Sequence, residues 1–133
     1  MPSFDPGTLP EEVRAFLRER HLLTLTLVRP DGRPHVTPVG VTWEGGGTPA
    51  RIITWNGSVK ARLLERHGPL PAAVCQVDGG RWLTLEGAAT VTADPQRCAE
   101  GVRRYAERYS PPKDRGADRR VIEIAVTTVL GRA

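Results

Sequence analysis

Ala50-Arg51-Ile52-Ile53-Thr54-Trp55-Asn56-Gly57-Ser58-Val59-Lys60-Ala61 (ARIITWNGSVKA) decides the fold. Ala50 to Trp55 is rich in β-branched residues and reads as a strand. Asn56-Gly57 turns the chain. Ser58 then caps a helix that runs to about His67 and is closed by Gly68. A helix that starts directly after a strand presents free N–H groups and partial positive charge at its N-terminus. Both suit a phosphate. Ser58 adds a hydroxyl and Lys60 a point charge. The local motif alone fits an ordinary cap followed by a solvent-facing lysine at least as well. One detail of composition bears on Lys60: of 19 basic residues, only Lys60 and Lys113 are lysines.

Upstream of this segment, Leu22 to Arg29 (LLTLTLVR) alternates Leu with Thr and reads as a strand. Pro30 to Arg33 is a turn, and His35 to Trp43 (HVTPVGVTW) is the partner strand. Pro38 inside it cannot donate to a ladder, and Gly40 lets something approach the backbone. An edge strand with a bulge and a ligand-facing strand both fit. Nearer the start, residues 1–7 read as a loose arm. Thr8 and Glu11 have capping-box spacing ahead of a short helix, with Leu9, Val13, Phe16 and Leu17 on one face.

Downstream, Pro71 to Val77 is a strand, Asp78-Gly79-Gly80 a turn, and Arg81 to Thr92 a long strand. Asp94 caps a helix with Pro95 in its first turn, running to roughly Tyr109. Residues 110–118 form a polar loop, and Arg119 to Leu130 is the last strand. The sum is about six strands, mostly antiparallel, with three helices. A single-domain, mainly β fold spanning 1–133 follows, a small barrel with peripheral helices.

Composition narrows the function. The 39% hydrophobic share is low for a monomeric globule of 133 residues and favours a shared interface or a large bound ligand. Cys75 and Cys98 lack the spacing of a disulfide framework or zinc site. With no secretory signal read at the start, a reducing cytoplasm is expected. No apolar run approaches the ~20 residues of a membrane span. The net charge of +4 is interleaved with acids along the chain, which argues against nucleic acid as a partner.

Other candidate groups are few. In Gln76-Val77-Asp78-Gly79-Gly80-Arg81-Trp82, the tryptophan suits stacking and Gln76 suits a heterocycle edge; a plain hairpin with a core tryptophan fits as well. His21, His35 and His67 lie in different elements, and no triad or metal set is indicated. Tyr105 and Tyr109, at i and i+4, read as a packing stripe. No catalytic side chain stands out, so any reactivity is expected from a cofactor.

Six segments in order, FLRERHL, PHVTPVG, ARIITWNGSVKA, QVDGGRWLTLEG, RYAERY and RRVIEI, resemble the pyridoxamine 5′-phosphate oxidase-like split-barrel proteins. Within that family the chain is most similar to the branch using the deazaflavin coenzyme F420. The resemblance implies a six-stranded split β-barrel (the FMN-binding split barrel) and a homodimer with two coenzymes at its interface. Position by position it implies that Ser58, Val59 and Lys60 grip the coenzyme phosphate. His35, Val36, Thr37 and Pro38 would line the ring system, and Thr54 and Trp55 lead into the phosphate turn. Gln76, Gly80, Arg81 and Trp82 match a hairpin that closes the site from the partner subunit. Two departures stand out: Trp55 where a smaller residue is usual, and about two extra residues in 67–71. The implied activity is hydride transfer from reduced F420 to a conjugated acceptor such as biliverdin, with Arg81 a candidate for its propionates. FMN is the alternative coenzyme, and a non-catalytic flavin- or haem-binding module the alternative role.

Overall fold

A computed structural model describes residues 2–133. The elements in order are β1 (Ser3–Phe4), α1 (Glu11–Arg18), β2 (Leu23–Val28), β3 (Pro34–Val39), β4 (Ala50–Trp55), α2 (Val59–His67), β5 (Leu70–Asp78), β6 (Arg81–Thr92), α3 (Pro95–Arg108) and β7 (Arg119–Arg132). Every pairing is antiparallel, and the sheet runs β1-β7-β6-β5-β2-β3, with β4 also on β7.

β7 is the seam of the barrel. One edge pairs with β6 from Val121 to Arg132. The other carries β4 along Arg119–Ile124 and β1 at Val129–Leu130. Between β3 and β4 the ring is joined by a single bridge, Thr42 to Arg51. The barrel is therefore split on that side. β6 changes register between Glu86 and Gly87, where a Cβ on Gly87 would lie 1.9 Å from the Ala125 carbonyl oxygen. Only glycine fits this bulge, which bends the long strand around the core.

The alternation seen in the sequence is the alternation of burial. Leu23, Leu25 and Leu27 of β2 point inward, with Ile52, Val74, Leu83, Leu85, Ile122 and Ile124 from the other strands. Val13, Phe16 and Leu17 of α1 are buried in the same core, giving the hydrophobic driving force for the helix.

Most bounds agree with the sequence pattern; three do not. There are seven strands rather than six, because Ser3–Phe4 of the expected loose arm pairs with β7. Helix α1 starts at Glu11 with Pro10 at the N-cap and no side-chain cap. Thr8 is instead drawn into a turn closed on the Asp5 carbonyl (3.1 Å). The partner strand ends at Val39 rather than Trp43. Gly40 is the reason: the Tyr105 and Tyr109 rings sit where a Cβ would be, at 2.7 and 3.0 Å. What approaches that backbone is α3. β3 is an edge strand, so Pro34 and Pro38 are tolerated in it.

Candidate functional site

The turn after β4 is built as its residues dictate. Ser58 has extended backbone and caps α2, its Oγ accepting from the Ala61 N–H at 3.2 Å. Thr54, buried at the end of β4, donates its hydroxyl to the same Oγ at 2.8 Å. With both contacts accepted, the Ser58 proton is left to donate outward. The N–H groups of Val59 and Lys60 open the helix and have no partner inside it. The turn thus offers a hydroxyl, two amides and the helix dipole in one place.

Beside it lies a groove of about 400 Å³. Of the predicted site residues, Pro38, Thr54, Trp55 and Lys60 line it, brought together from β3, β4 and α2. Lys60 is half-buried, and burial pushes its pKa below the ordinary lysine value. Among the described residues no carboxylate lies within 4.0 Å of it. Its charge also reaches His35, where burial first, then Arg29 and Lys60, push the imidazole pKa down. That disfavours the imidazolium form of His35.

The same groove holds residues not expected at the site: Tyr105 of α3, expected in a packing stripe, Lys113, noted only as the second lysine, and Arg115 and Arg119 of the α3–β7 region. Arg115 stacks over the Trp55 ring at 5.0 Å. Arg119 donates to the carbonyls of Thr54 (3.2 Å) and Lys113. None of these three cations is paired with a carboxylate among the described residues. The two lysines of the chain line one groove, so lysine scarcity was the signal that could have found Lys113.

Other predicted residues lie elsewhere. On β3 the register sets Val36 and Pro38 opposite Thr26 and Thr24, on one face of the sheet. His35 and Thr37 oppose Leu27 and Leu25, on the other. Gln76 is fully buried: its amide donates to the Phe16 carbonyl (2.9 Å) and accepts from Arg108 (2.6 Å). It is not exposed to bond a heterocycle edge within its own chain, because the buried amide must satisfy both ends locally. Arg108 also donates to the carbonyls of Glu19 (2.9 Å) and Val41 (2.7 Å), and Tyr109 donates to that of His21 (2.6 Å). This network fastens α3 to the barrel.

Gly80, Arg81 and Trp82 sit at the β5–β6 hairpin, away from the groove of the same chain. Arg81 is held by Glu19 through two bonds of 2.8 Å and by Asp78 at 2.5 Å. His21 bonds Glu19 at 2.9 Å. Arg81 and His21 draw the Glu19 carboxyl pKa down to about 2. Glu19, His21 and Asp78 cluster closely enough to resemble a metal set, but Arg81 already supplies their countercharge.

The pyridoxamine 5′-phosphate oxidase model matches residues 9–133. The chain belongs to the pyridoxamine 5′-phosphate oxidase family. Within this family it is 45% identical, over 125 residues, to an F420H2-dependent biliverdin reductase of Mycobacterium tuberculosis, covering 94% of this chain and 89% of that one. Among solved structures of the same fold, one described as an F420 reductase has a TM-score of 0.70 at 26% identity, covering 92% of this chain and 98% of the other. A conserved hypothetical protein of Mycobacterium tuberculosis has a TM-score of 0.75 at 22% identity, covering 99% and 89%. This second likeness shows the split-barrel fold alone. No helix among the described residues is long and apolar enough to cross a membrane.

Proposed function

We propose that the chain is an F420-dependent reductase acting on a conjugated small molecule, with biliverdin the first candidate. The observation that carries this is Lys60, a half-buried cation with no carboxylate partner, beside a capped helix N-terminus. The 45% identity to a biliverdin reductase supports the choice of F420 over FMN. A phosphorylated coenzyme fits these residues: a dianion would meet Lys60, the Ser58 hydroxyl and the N–H groups of Val59 and Lys60. When bound, the reduced deazaflavin supplies a hydride.

The protein's own part is to bind, orient and exclude water. Thr54 orients Ser58 toward the anion. Trp55, braced by Arg115, forms one wall of the groove. Val36 and Pro38, on one face of β3, form the bed for the ring system, while His35 and Thr37 lie on the opposite face and support that strand from behind. Gly80, Arg81 and Trp82 close the site across a homodimer interface. Gln76 serves from within, by tying the hairpin strand to α1 and α3. Val36 and Val77 are more than half exposed, as is Leu22. Burying them against a second copy accounts for their exposure.

The test is spectroscopic. The purified protein is titrated with F420 and FMN, and oxidation of F420H2 is followed with biliverdin, nitroaromatics and quinones. Tight F420 binding with turnover of biliverdin is expected. Tight FMN binding without F420 binding overturns the coenzyme; F420 binding without turnover of any acceptor makes the protein a carrier. Light scattering is expected to give a dimer at micromolar concentration, and a monomer would remove the two-chain site.

A further inference from the structure

A second cleft, of about 530 Å³, lies between α1, the β3–β4 connection and α3. Along α3, Arg104, Glu107 and Arg108 face it, whereas Tyr105 lines the coenzyme groove. That spacing puts the two sites on different stripes of one helix. Leu9, Leu17 and Trp43 give the cleft an apolar floor.

Its charges do not balance. Both lining carboxylates are neutralised: Glu44 by Arg51 (2.7 Å) and Arg104 (3.5 Å), Glu107 by Arg103 (2.6 Å). Arg18 is held by Glu11 at 2.6 Å. Arg14 meets only the Glu44 carbonyl, at 3.4 Å. Arg108 meets only neutral acceptors, and its burial pushes its pKa down. Arg14 and Arg108 therefore face an apolar floor without a carboxylate within 4.0 Å among the described residues, Glu19 attracting Arg108 only from farther off. Thr42, 8% exposed, also lines the cleft, and its Oγ1 is buried with no hydrogen-bond partner. A buried hydroxyl is ordinarily satisfied, and Thr42 is one partner short; Arg14, partly buried, carries the unpaired charge beside it.

We propose that this cleft binds a small organic anion, an aromatic or short aliphatic carboxylate. Its charge meets Arg14 in the field of Arg108, and its apolar body lies on Leu9, Leu17 and Trp43. The site is separate from the coenzyme groove, and the proposal stands whether or not F420 is the coenzyme.

Titration calorimetry with 2-naphthoate tests it, with 2-naphthamide as the uncharged probe of the same shape. Saturable binding of about one naphthoate per chain is expected, with affinity at least ~10-fold lower in Arg14→Gln and at least ~10-fold lower for the amide. Lys60→Ala and a saturating coenzyme are expected to leave it unchanged. The amide comparison needs no variant, so it decides even if Arg14→Gln folds poorly. Equal binding of acid and amide, equal binding to Arg14→Gln, displacement by the coenzyme, or no binding at millimolar naphthoate each overturns the proposal.

Discussion

Two cationic corners of this barrel are built on opposite plans. At the β5–β6 hairpin, Arg81 is closed in by Glu19 and Asp78, and Glu19 also holds His21. At the phosphate turn, Lys60, Lys113, Arg115 and Arg119 share a groove, and none of them has a carboxylate within 4.0 Å among the described residues. Surface pairs of the first kind fasten segments and add little net energy. Unpaired, half-buried charge such as that of Lys60 is a cost to the empty protein. It is recovered when an anion arrives. The contrast separates charges that hold the protein together from charges held ready for a ligand.

The strongest way to break this contrast is Lys60→Ala. Coenzyme affinity is expected to fall at least ~10-fold, about 1.4 kcal/mol, measured by fluorescence titration. The melting temperature of the empty protein should not fall, because no native ion pair is lost. Unchanged affinity would place the phosphate elsewhere.

The pH profile comes next. Burial lowers the Lys60 pKa, so coenzyme affinity should decline with rising pH before the ordinary lysine value of 10.5 is reached. The sign for stability is opposite. In that window the unfolded chain binds more protons at Lys60 than the folded one, so its contribution to the empty protein's stability rises with pH. Thermal melts of wild type against Lys60→Ala isolate that term.

Smaller effects sharpen the picture. Lys113→Ala, on the exposed loop, is expected to weaken coenzyme binding about threefold, with a shallower dependence on salt. Arg81→Gln should cost less affinity than Lys60→Ala and instead weaken the fold near neutral pH. Glu19 is held down to about 2, so the stability it lends is present above the ordinary carboxylate value and lost as pH falls toward that figure. Removing Arg81 should take away most of that contribution, so the variant is expected to be less stable than wild type near pH 7 and to converge with it as pH falls toward 2. Denaturant unfolding across pH, followed by circular dichroism, checks this. If Arg81→Gln hurt affinity more than Lys60→Ala, the two corners would have exchanged roles.

Much of the barrel was legible because local signals agree with the global fold. The β6 bounds, the Asp94 and Ser58 caps and the Leu–Thr alternation of β2 need only neighbouring residues to be read. Where the reading failed, distant contacts decide. Ser3–Phe4 is a strand only because β7, more than 120 residues on, offers an edge. At Gly40 an edge strand and a ligand-facing strand were both open; β3 is an edge strand, and the group that approaches Gly40 is Tyr105. Gln76 resembled a recognition residue, but its polarity serves Arg108 and Phe16 inside the protein. The turn at Ser58 was plain in the sequence; the cations facing it across the groove were not, because the 110–118 loop has no period to place it.

Trp55 and Gly57 constrain how this sequence can change. A Cβ on Gly57 would come within 2.0 Å of the indole ring of Trp55. The two positions are therefore coupled, and the order of substitution matters. A side chain at 57 is barred while the indole stands, yet becomes sterically admissible once position 55 is small. A lineage that shrinks Trp55 first can then fill 57 and reshape the floor of the phosphate turn; one that starts at 57 meets a clash. The wall of the groove thus acts as a ratchet on the coenzyme site beneath it.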